Sequence, residues 1–588
     1  MTGSRLLHVS RGAAGAWCAS SLLLALLGCD GRVESGADAA RLDASLDATD
    51  ARAVAPDESP DVATDPERCP DPTTLAASPM RRLGTREYAA AVADLLDDPF
   101  DVVAAVRFPT DPRVNGFDDN AAVADTSSSM LDLFATANAL LVERLSADPA
   151  RRARVVGCDP SGAGRSACID AFVAHVGRRV ARRPLTPSQA ARWAALAHTL
   201  DGDADPFAGP LRALEGMLLA PSFLYRAETG RPIAGCDAVR QLDGWEVATR
   251  LSFLLRATTP DDALLDAAAS GSLDTADGVE AAARAMLADG GSRDAVWRFF
   301  SQWLEIDELA LRSGGAGDAD WSDAVRDAMV SQFRRVVEGI VWSPGRDLLD
   351  LVDTRRSYVN DILAEHYGLV PVPPPNTWIA FDWPPSSERA GILTEGAVLT
   401  ATGSVVSSRL AGNAIRRGRW VREILLCEGI PLPPPGVEVN PASFTGSQRE
   451  RLAAHSTDPR CASCHRRLDP VGFGMERFDD LGRHQTMDPS GVPLTGDGVL
   501  EGFDAPEFHG TLELAARLRA APQVAPCVAL QWFRWAYGRS ETPGDARPTA
   551  ALADAFERSH HSFTELVVAS VRADAFRYRP TANATETP

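Results

Sequence analysis

Cys461-Ala462-Ser463-Cys464-His465 sets two thiols three positions apart, with an imidazole directly after the second. On one helical turn both sulfurs reach the two vinyl groups of a single porphyrin while the adjoining ring nitrogen points at its iron, so the pattern matches covalent attachment of one haem c. Cys461 and Cys464 take the thioether role, and His465 takes the proximal iron-ligand role. A second axial ligand separates two chemistries: a thioether or imidazole closes the iron for electron transfer, and an open position lets it bind small ligands. Met475, ten residues past His465, is the candidate distal ligand, with packing in an apolar core as the competing assignment. His455, His484, Met487 and His509 lie in the same range.

Upstream, Arg416, Arg417, Arg419 and Arg422 fall on an expected helix. Arg417 and Arg419 are candidates to clamp the haem propionates through forked, charge-assisted bonds, against a solvated cationic face. Downstream, Trp532 and Trp535 stand one helical turn apart around Phe533, suited to wall a porphyrin or to pack a helix pair. Other chemistries for the Cys pair fit less well. A zinc site normally takes four ligands and only three are adjacent, a dithiol redox centre wants a βαβ setting, and a plain disulfide leaves His465 without a role. Elsewhere the sequence has no nucleophile elbow, no His-Glu-x-x-His and no phosphate-cradling Gly-rich loop. The paired acids Asp118-Asp119 and Asp479-Asp480 read as solvated or capping residues.

The N-terminus decides the compartment. Arg5 and Arg11 precede Leu22-Leu23-Leu24-Ala25-Leu26-Leu27-Gly28-Cys29, which reads as a signal peptide over 1–28 ending in a lipobox. Cys29 would then carry lipid and anchor the chain to a membrane in the cell envelope. Residues 29–70 are rich in Ala, Asp, Ser and Thr, too poor in apolar side chains to offset their ordering entropy, and read as an acidic tether.

The chain has 588 residues, 45% of them hydrophobic, which implies roughly two to four packed units. A net charge of −21 argues against a nucleic-acid partner. Setting aside Cys18, Cys29, Cys461 and Cys464 leaves Cys69, Cys158, Cys168, Cys236, Cys427 and Cys527, an even set suited to disulfides in an oxidising space. Cys158 and Cys168, flanking a Gly/Ser-rich loop, are the best local pair.

Apolar residues recur at three and four positions over long windows, which predicts a mainly α body in several modules: 78–150, 158–230, 236–370, a motif-bearing module 386–485 and a C-terminal module 510–580. Thr85 is expected to cap one helix, Trp245 to Leu255 to lie in another, and the aromatic run Val296 to Leu304 to pack between helices. Breaks are expected near Asp201–Asp205, Gly314–Gly317, Pro371–Pro375 and Pro431–Pro435.

Several stretches carry a resemblance: Arg82 to Tyr88, Arg182 to Thr186, Ser222 to Arg226, Arg250 to Leu255, Arg389 to Thr394, Arg417 to Glu423, Asp469 to Gly474 and Gln531 to Arg534. In this order they resemble the modular planctomycete and myxobacterial cytochrome-c-like proteins built from domains of unknown function 1587, 1595, 1592, 1588 and 1585. The resemblance spans nearly all of the chain beyond the tether and implies this architecture with a c-type haem. The residues and the resemblance together predict an exported, lipid-anchored protein passing electrons to or from a redox or envelope protein outside the cytoplasm. A haem-dependent oxidoreductase on a bulky exported substrate such as a polysaccharide, and a surface scaffold with a structural Cys pair, are the alternatives.

Overall fold

The computed structural model describes residues 69–75, 80–121, 127–200, 204–311, 321–403, 412–431, 446–457 and 459–581. The signal peptide, the tether apart from its last two residues, and Cys29 lie outside the described residues, as does the expected break at Gly314–Gly317.

Side chains that start helices organise this chain. Ser127, Asp261, Thr275, Ser322, Asn360 and Ser562 each accept a hydrogen bond from the main-chain N–H three residues on. Thr186 with Gln189, and Asp243 with Glu246, form reciprocal capping boxes. The body is mainly α, as the apolar spacing predicts, and the helices Gly244–Arg256 and Arg293–Trp303 stand where the sequence places them. Thr85 differs from expectation. The helix Thr85–Leu96 starts from Gly84, whose N–H reaches the Glu87 carboxylate at 2.9 Å, while Thr85 is already inside the helix and donates its hydroxyl to Asp111 at 2.7 Å. Asp111, distant in sequence, supplies a partner that no local signal announces.

Strands are few and short, gathered in four small antiparallel sheets among the described residues. The longest pair, Arg356–Val359 with Ile379–Asp382, flanks the Pro371–Pro375 break.

Glu67–Pro588 is one compact unit, and its modules complete one another's cores. Leu83, Tyr88, Phe134, Ile169, Phe172 and Leu214 bury one core shared by the first two modules. Leu251, Phe299, Phe333, Val421, Val471 and Trp532 belong to a second, drawn from the other three with Phe117 of the first. Helices pack inside a module, as Arg165–Ala181 does on Pro187–His198 and Ala208–Leu218, and also across modules, as Ala276–Ala288 does on Phe563–Arg572. Trp532 meets Phe299 and Phe563 edge-on, each at 5.1 Å, and donates its indole N–H to Ser570. Trp535 and Phe533 are buried in the same core. The structure therefore gives these three rings to helix packing and not to a porphyrin wall.

Three disulfides staple the body. Cys158 joins Cys168 across the local Gly/Ser loop, Cys69 joins Cys236, and Cys427 joins Cys527 over 100 residues of sequence. No helix among the described residues is long and apolar enough to cross a membrane.

Candidate functional site

Cys461, Cys464 and His465 share the helix Pro459–Phe473, here called the motif helix. Pro459 suits the first helical turn because its missing N–H would have had no helical partner. At helical spacing Cys461, His465, Leu468 and Gly472 fall on one face, with Cys464 at its edge. Cys461 is buried and Cys464 half-buried, and both are free thiols, whereas the six other described cysteines are all bridged.

A second helix, Gly412–Trp420, braces that face and runs past it in the opposite direction. Two glycines set the approach. A Cβ at Gly418 would stand 1.9 Å from the Leu468 carbonyl oxygen, and one at Gly472 would stand 1.7 Å from that of Ala414, so the two backbones touch where any side chain would part them.

Arginine side chains then lock the ends. Arg417, 1% exposed, donates to the carbonyls of Met475 and Phe478, each at 2.7 Å, and of Asp479 at 2.8 Å. It binds the chain leaving the motif helix, and burial pulls its guanidinium below the usual arginine range against the opposing pull of Asp480. Arg422, also fully buried, donates to the Arg467 carbonyl at 2.7 Å and pairs with Glu428 at 2.8 Å. Arg419 is exposed and pairs with Glu423 one turn on. Of the two residues expected at the propionates, Arg417 is bound to main-chain carbonyls and Arg419 to a neighbouring carboxylate. The structure favours neither a clamp nor a wholly solvated cationic face, because the cluster's two buried members work as structural donors.

His465 is oriented from below. Its Nδ1 lies 3.0 and 3.2 Å from the two oxygens of Asp469, one helical turn on and 4% exposed. Ser456 Oγ stands 3.4 Å from the same carboxylate. A hydrogen bond from Nδ1 to a carboxylate fixes the tautomer, keeping the proton on Nδ1 and the lone pair on Nε2. The residues thus fit an iron porphyrin: two thiols kept out of disulfides, and an imidazole preset as a nitrogen donor. Asp469 was missed as a functional residue in the sequence, although its position four residues after His465 on an expected helix was a usable signal.

Met475 is 1% exposed and packs in the large core with Val471 and Phe508. Its carbonyl is pinned by Arg417 and its side chain is enclosed by apolar groups, the core packing weighed against the distal role. His484 pairs with Glu388, His509 pairs with Asp497, and Met487 is exposed. The side chain of His455 lies outside the described residues.

Beyond the motif helix, Glu476 is buried under Arg449 and accepts the N–H groups of Thr495 and Gly496. Arg389 sits over Tyr367 at 4.6 Å, Phe478 at 4.8 Å and Trp383 at 5.1 Å, tying the region to the preceding module. Asp479 accepts from the N–H groups of Leu481 and Arg483, the capping role expected of it.

Five family models match the chain in succession, each described as a protein of unknown function. They are DUF1587 over 81–147, DUF1595 over 168–228, DUF1592 over 242–369, DUF1588 over 389–489 and DUF1585 over 504–576. The fourth, which contains the motif helix, carries the name PSCyt3. Neither the curated proteins nor the solved structures match this chain.

Proposed function

The chain belongs to the modular cytochrome-c-like family built of these five domains, and on that premise we propose that it is an exported, lipid-anchored electron carrier with one covalent haem c. The observation that carries the reading is the isolation of one Cys pair: Cys461 and Cys464 stay reduced on the turn that presents His465, in a body whose other described cysteines are all bridged.

Bound haem supplies a one-electron iron couple. Cys461 and Cys464 would hold the group through thioethers, and His465 would give its Nε2 to the metal. Asp469, at 3.0 Å, would hold the proton on Nδ1 and so leave Nε2 as the donor atom. The bracing helix, Arg417 and Arg422 fix the motif helix, so little of the protein has to rearrange as charge changes at the site. No group of three or more His, Cys, Asp or Glu side chains among the described residues is set to hold a bare metal ion. A porphyrin brings four nitrogens of its own and asks the protein for one or two.

Three disulfides fit an oxidising compartment outside the cytoplasm. Lipidation of Cys29 would leave the body tethered to the envelope, within reach of a membrane-associated or extracytoplasmic redox partner. Production alongside a working haem-attachment system, followed by a pyridine haemochrome spectrum, tests the reading. A c-type spectrum that vanishes in a Cys461→Ser/Cys464→Ser double variant supports it, and a colourless, folded wild type overturns it. In cell fractions, Cys29→Ala is expected to move the protein off the membrane; an unchanged distribution would remove the anchor from the account.

A further inference from the structure

Away from the motif helix, a polar cavity lies where four of the five family segments meet. Arg81 comes from the first matched segment, Arg226 from the second, Arg250 and Arg298 from the third, and Arg539 from the last. Glu87, Arg226, Arg250 and Phe253 belong to the stretches that carry the family resemblance, and the proposed electron carrier uses none of them.

The arginines are held in place from behind. Glu87 accepts from Arg226 at 2.9 Å, Glu228 takes Arg250 in a forked pair, and Asp545 takes Arg539 at 2.7 and 2.8 Å. Asp118 pairs with Arg298. The Asp118-Asp119 pair, expected to be solvated or capping, is therefore part of a buried ionic network. Arg81 is held more loosely: its Nη1 donates to the Asp119 carbonyl at 3.1 Å, and the Asp119 carboxylate stands 3.8 Å away. Gly538 makes room for that guanidinium, since a Cβ there would fall 1.4 Å from Arg81 Nη1. Burial pushes the Asp119 carboxyl up to about 7, despite the pull of Arg81 and Arg298, so near neutral pH it offsets only part of the positive charge. Its Oδ1 has no hydrogen-bond partner.

The cavity measures about 50 Å³. At roughly 10–15 Å³ for each water-sized position, that is about four positions, the size of one tetrahedral oxyanion and too small for an attached sugar or lipid. Guanidinium groups fixed by carboxylates behind them are preorganised donors for such an ion, because their ordering has already been met by folding.

We propose that this cavity is a binding site for one small tetrahedral oxyanion of the phosphate class, held by Arg81 and its neighbouring arginines at the junction of four family segments. It stands independently of the haem. Equilibrium dialysis of the full protein against radiolabelled inorganic phosphate, at ionic strength fixed with chloride, tests it. One molar equivalent retained, displaced by sulfate and not by further chloride, is the expected result; no retained phosphate overturns the proposal. Arg81→Gln, shown folded by circular dichroism, is expected to weaken retention at least about tenfold, since one charge-assisted donor is lost. Undiminished retention in that folded variant would refute this location. If the variant does not fold, the wild-type stoichiometry and the sulfate competition decide alone.

Discussion

Replacing Asp469 by Asn keeps the volume beneath His465 and removes one negative charge from its Nδ1 partner. Asp469 is 4% exposed, so water cannot take over the contact, and the 3.0 Å geometry to Nδ1 is that of a full hydrogen bond. Hydrogen bonds to a charged acceptor are worth roughly 1.5–3 kcal/mol and neutral ones about 0.5–1.5, so the exchange forfeits about 1–1.5 kcal/mol. That loss falls mainly on the oxidised state, where the proximal ring carries more positive charge. For a one-electron couple about 1.4 kcal/mol equals about 59 mV, and the variant's reduction potential is expected to rise by about 40–60 mV. Spectroelectrochemical titration of haem-loaded wild type and Asp469→Asn reads the difference directly. A potential that stays put or falls, in a variant retaining its haem spectrum, would refute the claim that Asp469 tunes the ring.

The bracing contact predicts that Gly472→Val destabilises the protein by about 3 kcal/mol or more, because the new Cβ would stand 1.7 Å from a main-chain oxygen that cannot move aside cheaply; a thermal midpoint within a degree of wild type would contradict it. Opening the Cys427–Cys527 bridge with a double Ser variant is expected to cost about 4 kcal/mol, since the loop spans 100 residues, and denaturant titration measures it. Glu395 is fully buried beside Ser357, and burial raises its carboxyl from 4.5 to about 7. The native state therefore holds a proton that the unfolded chain releases, so this group's stabilisation is intact below about pH 4.5 and is lost as pH rises through 7. Glu395→Gln is expected to gain on wild type by about 2.5 kcal/mol between pH 5 and pH 8; thermal midpoints whose difference does not change with pH would defeat the argument.

Residues whose chemistry depends on close spacing were legible before any coordinates. The Cys461 to His465 turn, the Cys158–Cys168 pair and the helix Gly244–Arg256 are each set by neighbours a few positions away. What escaped depends on distant partners. Arg417 reads in sequence as one cation in a cationic cluster, and only the fold shows it buried against the carbonyls of residues 58 and 61 positions on. Six cysteines allow fifteen pairings, so Cys69–Cys236 was beyond spacing arguments. Asp118 and Asp119 look like surface acids in a chain of net charge −21, yet they close against Arg81 of their own segment and Arg298 of a distant one. The sharing of cores among modules was not readable either, because the apolar stripe of a helix does not name the helix that will cover it.

The central claim concerns two bonds. Tryptic mass spectrometry of the mature protein, produced with haem-attachment machinery, should find the peptide spanning Cys461 to His465 heavier by one haem and resistant to thiol alkylation. The same peptide recovered at its bare mass, with both cysteines open to alkylation, would contradict the account.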